Sequence, residues 1–189
     1  MSRIKKFIYL LLFCLNLSSC SKLLNLDLRT EKEYLSDTIQ EFVTYTENKD
    51  KDKLKGLFSQ NSISQVEDFD KQMDDLLEYY KGNKISYTLV YGAEGDSDGK
   101  GGQTKTLMAS TDITTNEDVF RVAFFVRTLD TLDSKNLGFL FLYIIRFDDD
   151  PDSSVIINGR EHCFTYWGDG LNTPGINIGK PFIDRQNEE

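Results

Sequence analysis

The stretch Tyr79-Tyr80-Lys81-Gly82-Asn83-Lys84-Ile85-Ser86-Tyr87-Thr88-Leu89-Val90-Tyr91 decides the fold, because the hydrophobic period changes inside it. Before Gly82, the residues Val66, Phe69, Met73, Leu76, Leu77 and Tyr80 recur at three- and four-residue spacing, the stripe of a helix face packed on a core. After it, Ile85, Tyr87, Leu89 and Tyr91 alternate with Ser86 and Thr88, the pattern of a strand buried on one side. Gly82 itself supplies the helix stop.

Toward the N-terminus the helical period persists. Ser64 with Glu67 reads as a capping box for the helix that ends near Gly82. Leu54, Leu57 and Phe58 form one face of a short helix over 52–58, and Thr30 with Glu33 caps a longer one over 31–47, carrying Leu35, Ile39, Phe42 and Tyr45 or Thr46. Toward the C-terminus the period stays at two. A Gly-rich loop over 92–103 leads to strands marked by Leu107, Ala109, Thr111 and Ile113, then by Phe120, Val122, Phe124 and Val126. A last strand alternates through Leu137, Phe139, Phe141, Tyr143, Ile145 and Phe147, and is also apolar at Leu140, Leu142 and Ile144, so both of its faces should be covered near its start. The tail adds a hairpin signal at Asn158-Gly159, with 163–167 as the return strand. The expected fold is α+β: N-terminal helices packed on a curved antiparallel sheet of about four strands, one domain over 30–189.

The first residues read as an address. Arg3, Lys5 and Lys6 precede an apolar run over 7–17, which is too short to span a bilayer. The run ends in Leu17-Ser18-Ser19-Cys20, which resembles the lipobox of bacterial lipoproteins; Cys14 is a poor rival because bulky Phe13 precedes it. The resemblance implies that 1–19 is a signal peptide removed before Cys20, that Cys20 carries a diacylglycerol anchor with palmitate-type chains, and that 20–29 is the lipidated cysteine and spacer. The expected location is the extracytoplasmic face of the cell membrane. Two acyl chains hold a protein there where one does not.

Charge narrows the partners. The chain has 189 residues, 22 basic against 31 acidic and a net charge of -9, which excludes a phosphate-neutralising nucleic-acid binder. Cleavage before Cys20 removes three basic residues and no acid, leaving 19 basic, 31 acidic and a charge of -12. Acidity keeps such a domain soluble, and it also suits a basic protein or peptide partner. With Cys14 removed and Cys20 lipidated, Cys163 is the one thiol remaining, so no intramolecular disulfide forms. His162 cannot activate it, because neighbours on an extended strand point to opposite faces.

Candidate sites are few. Glu94, Asp96 and Asp98 with Gly99 match half of a calcium loop, but Lys105 stands at the twelfth position, where a carboxylate is required, so a solvated hairpin loop is the better reading. Asp148, Asp149, Asp150 and Asp152 crowd Pro151 as turn chemistry. On the strands, Arg121 and Arg127 lie on the face opposite Phe120, Asp112 opposite Ile113, and Arg146 should join them. With Tyr87, Tyr91 and the single tryptophan Trp167, these outline a pocket; uncovered by other chain, they would be solvated cross-strand ion pairs. No motif implies a cofactor.

The order of helices then meander resembles the nuclear transport factor 2-like, or cystatin-like, cone. With the lipobox, the stretch Lys53-Leu54-Lys55-Gly56-Leu57-Phe58-Ser59 and the late run Tyr166-Trp167-Gly168-Asp169-Gly170 through Pro174-Gly175-Ile176, the chain is similar to a family of uncharacterised Gram-positive lipoproteins. That resemblance implies fold and location, not chemistry. HExxH, GxSxG, CxxC and complete phosphate-loop motifs are absent, so the expectation is a non-catalytic binding or structural domain of protein-binding or immunity type. A small-molecule or acid/base site in the cone, using Asp112, Tyr87, Tyr91 and Arg121, is the alternative.

Overall fold

The computed structural model describes residues 30–97, 101–150, 156–157, 160–161 and 174–179. Helix α1 (Glu31–Glu47) buries Leu35, Ile39, Phe42 and Thr46 from the stripe that its spacing predicts, together with Thr38 and Val43 beside it. Helix α2 (Lys51–Gly56) starts at Asp50, whose carboxylate accepts the Lys53 N–H, and it stops two residues earlier than periodicity predicts. Phe58 leaves the helix to bridge to Phe139: the Phe139 N–H donates to the Leu57 carbonyl at 2.8 Å and the Ser59 N–H to the Phe139 carbonyl at 3.0 Å.

The predicted capping box at Ser64 does not open a helix. Ser59 instead caps a short α3 (Gln60–Ser64), and Ser62, buried, donates its hydroxyl to the Leu140 carbonyl at 2.5 Å. Ser64 is therefore the end of α3, and α4 (Phe69–Tyr79) begins only after Asp68. The tie to the sheet wins over a local cap worth about 1 kcal/mol.

The strands are β1 (Lys84–Tyr87), β2 (Val90–Ser97), β3 (Gln103–Thr115), β4 (Val119–Asp130), β5 (Gly138–Arg146), β6 (Ile156–Ile157), β7 (Arg160–Glu161) and β8 (Gly175–Ile178). The main sheet runs β1-β3-β4-β5-β8, with β2 also on β3; β6 and β7 form a separate pair, Ile157 facing Arg160. All pairings are antiparallel except β5 with β8. The architecture is thus α+β, helices first, with an open and mostly antiparallel sheet.

Two further expectations change. The predicted loop over 92–103 is mostly strand, because β2 continues pairing through Ser97 opposite Gln103. And β5 does not keep one parity: Phe125 faces Phe141 but Val126 faces Phe139, so Leu140 is an inserted residue. Phe139, Leu142 and Ile144 consequently join the helix-side core, while Phe141 and Tyr143 pack with Ala123, Phe125 and Leu140 on the other face.

Helix α1 lies along β3 in a defined sense. Its first residue, Glu31, pairs with Lys105 at 2.7 Å; Ser36 meets the Tyr87 hydroxyl at 2.6 Å; and its last residue, Glu47, accepts the Lys84 N–H at the far end, where Lys84 faces Thr115. The space between helices and sheet is filled by Phe42, Phe120, Phe124 and Phe139, each at most 2% exposed.

Candidate functional site

On the sheet face away from the helices, alternation places Asp112 beside Arg121, and they are register partners. Arg121 grips Asp112 with two parallel bonds, Nε to Oδ1 at 2.9 Å and Nη2 to Oδ2 at 3.2 Å. Its Nη1 donates to Asp150 Oδ2 at 2.7 Å. The 3₁₀ turn Phe147–Asp149 carries Asp150 into this position and lays the Phe147 ring 4.7 Å from the guanidinium carbon. Arg121 is 6% and Asp150 5% exposed, so the cluster is buried rather than solvated. A fork bonded to two carboxylates has no orientation left for an incoming anion, and among the described residues the cluster sets one positive against two negative charges. Of the acidic run, Asp148 and Asp149 are exposed and Asp150 turns inward; Asp152 lies outside the described residues.

Of the other predicted pocket residues, Tyr87, Arg127 and Arg146 do not converge on it. Tyr87 faces Ile113 across the sheet, on the helix side, with its hydroxyl held by Ser36. Tyr91 is the register partner of Ala109, a residue of the helix-side core. Arg146 pairs with Phe120 and so projects on the helix side too, because the β5 insertion reverses its parity. There it covers the Tyr79 ring at 5.5 Å and reaches Asp118 at 3.1 Å. Arg127 stays with the outer face but six residues along β4 from Arg121, about 20 Å at strand rise. Glu94 and Asp96 are in β2, opposite Thr106 and Thr104, and an extended strand cannot curl around a calcium ion as a loop does. Cys20, Asp98 and Trp167 lie outside the described residues.

A second region assembles where sequence gave little warning. Asp130, at the end of β4, has a side chain only 3% exposed and organises the turn that follows. Its carboxylate accepts the N–H of Asp133 at 2.9 Å and of Leu132 at 3.0 Å, the Asn136 amide at 2.8 Å and Arg127 Nη1 at 3.3 Å. The Asp133 N–H, then the Asn136 amide, hold this carboxyl below its ordinary range. Asp133 is lowered likewise, by the Lys135 N–H first and then by the Asn61 amide, which bonds it at 3.0 Å.

Beside this turn lies a cleft of about 310 Å³ whose lining includes Asn61, Ser62, Gln65, Arg127 and Asn136 over apolar Leu140 and Phe141. Across α3 is another of about 450 Å³, bounded by Lys55, Phe58, Ile63, Lys135 and Leu137. The sequence signal was the run of turn formers Asp130, Asp133, Ser134 and Asn136. Nothing in it announced that α3 would supply Asn61 and Ser62.

In the helix-side core, Tyr80 stacks on Phe120 at 4.9 Å, and burial pushes its phenol upward, out of reach of a general base. Among the described residues, no group of three or more His, Cys, Asp or Glu is arranged to hold a metal ion, and no helix is long and apolar enough to cross a membrane.

Residues 41–147 match the profile of a family described as a domain of unknown function, DUF5104, which is more than half of the chain. No curated protein matches.

Proposed function

The chain belongs to the DUF5104 family, and from that premise we propose that it is a lipid-anchored, extracytoplasmic binding domain rather than an enzyme. The observation that carries the reading is the separation of the candidate acid/base groups. Tyr87 lies on the helix side, while Asp112 and Arg121 lie on the opposite face, bonded to each other and to Asp150. General acid/base catalysis needs its groups within hydrogen-bond reach of one substrate. The aromatic filling of the helix side supports the same reading, and the order of helices then meander supports a nuclear transport factor 2-like lineage.

Binding then belongs to the surface. The cleft lined by Asn61, Ser62, Gln65, Arg127 and Asn136 offers donors and acceptors around an apolar floor, a chemistry suited to a peptide segment. The charge of the chain, -9 before processing, steers basic partners toward it. Anchoring rests on the lipobox at Cys20.

The test is a photo-crosslinking residue placed at Gln65, on the cleft, or at exposed Asn116, in the distant β3–β4 turn, in intact cells. A discrete protein adduct from position 65 and none from 116 is expected. Equal, diffuse labelling from both sites over several growth conditions would overturn the reading.

A further inference from the structure

Among the described residues, three of the four exposed large hydrophobic side chains lie at the end of the sheet where α1 begins. Glu31 pairs with Lys105, and Lys105 is the register partner of Leu129, so the helix start and the β4–β5 hairpin tip share one end of the sheet. In that tip Leu129 is 40%, Leu132 53% and Leu137 41% exposed. Leu132 is held in place by the chain beneath it, since a Cβ on Gly102 would lie 2.4 Å from its Cγ.

The tip is also free of exposed acid in an acidic protein. Between 129 and 137 the exposed residues are Leu129, Thr131, Leu132, Ser134, Lys135 and Leu137. Its two acids, Asp130 and Asp133, turn their carboxylates inward onto Leu132, Asp133 and Lys135 N–H groups. Three leucines and one lysine whose stem can lie along an apolar surface match the boundary between lipid headgroups and acyl chains.

We propose that this tip docks on the outer surface of the membrane bilayer, so that the tethered domain stands on its β4–β5 hairpin. The proposal rests on the anchoring at Cys20. From Cys20 to Glu31 the chain extends at most about 40 Å, the span of β3 alone (Gln103–Thr115). The tether enters at the tip end, so tip-down contact needs no extension, whereas the opposite end, with Ile85 at 68% exposure, reaches the bilayer only with the tether pulled nearly straight. Tethering supplies a high local concentration, so a small apolar contact suffices to set orientation. The contact is apolar, hence independent of anionic lipid.

The full chain, isolated from cell membranes and reconstituted into phosphatidylcholine vesicles with brominated acyl chains, tests this. Flotation reports anchoring, and quenching of an added tryptophan reports docking, with the unaltered chain and its single Trp167 as baseline. L132W, and independently L129W, should lose about half or more of the added emission, as expected for a ring at the acyl boundary. I85W should lose none. Flotation with L132W and L129W quenched no more than I85W overturns the docking while leaving the anchor standing. Failure of the unaltered chain to float overturns the anchor, and the docking with it.

Discussion

Removing the Arg121 guanidinium takes away the donor that Asp112 and Asp150 share, at a place where Asp150 has a side chain only 4% exposed. Breaking a buried pair by deleting one partner costs about 3–5 kcal/mol, so R121A should lower the urea midpoint markedly. R121K, which keeps the charge but not the fork, should recover part of that loss. Asp130 makes the complementary case. Its folded carboxyl titrates below the ordinary 3.8, so the stability it contributes is present above that value and is lost as pH falls through its lower folded value. D130N should therefore melt below the wild type at pH 7, and the gap should narrow as pH falls below 3.8, where the carboxyl of the unfolded chain takes up its proton before the folded one does. A gap that persists unchanged at pH 3 would assign the loss to packing rather than charge.

At the scale of elements, Gly138 is where helix linker and sheet meet. Its φ is +112°, and a Cβ there would sit 2.7 Å from the Leu57 carbonyl oxygen and 2.9 Å from the Ser59 nitrogen. G138A should cost about 2–4 kcal/mol in denaturant titration, combining a left-handed backbone with a collision against chain that is itself bonded to Phe139. G56A is the matched comparison: nothing lies within 4 Å of its Cβ, and the change should be neutral or stabilising by up to about 1 kcal/mol. The same junction shows what local sequence carries. The stripe of Leu35, Ile39 and Phe42 and the alternation of Phe120, Val122 and Phe124 were legible because each repeats over several turns or pleats. The end of α2 was not, because Phe58 leaves the helix for Phe69 and Phe139, whose rings lie 5.1 and 5.2 Å away. The insertion at Leu140 was hidden in a run apolar at every position, which has no parity to read. Strand β8 is four residues long and pairs with β5 from more than thirty positions away, with the Ile176 N–H bonded to Gln72 of α4 at 2.8 Å. Of the candidate site, Asp112 with Arg121 followed from alternation, whereas Asp150 and Asn61 arrive by tertiary folding alone.

For the whole molecule, the proposed anchoring sets an acidic domain, which charge would push away from an anionic membrane, against an acyl anchor that would hold it there. With residues 1–19 removed, as the proposal has it, the chain would carry 19 basic and 31 acidic residues, so attraction through the surface field would not serve as a means of retention. Retention through acyl chains and retention through surface charge respond oppositely to salt. Raising ionic strength from 0.1 to 1 M shortens the screening length from about 10 to 3 Å, which releases proteins held by charge and leaves acylated ones in place. The protein should therefore stay in the membrane fraction through a 1 M salt wash and leave it with detergent. Cells fed an alkyne analogue of palmitate should label the wild type and C163A alike and fail to label C20A, since Cys20 alone follows Leu17-Ser18-Ser19. Intact mass should show residues 1–19 removed and a diacylglycerol added. Label on C20A, or release of the wild type by salt, would place the attachment elsewhere, and the orientation argued for the β4–β5 tip would lose its fixed point.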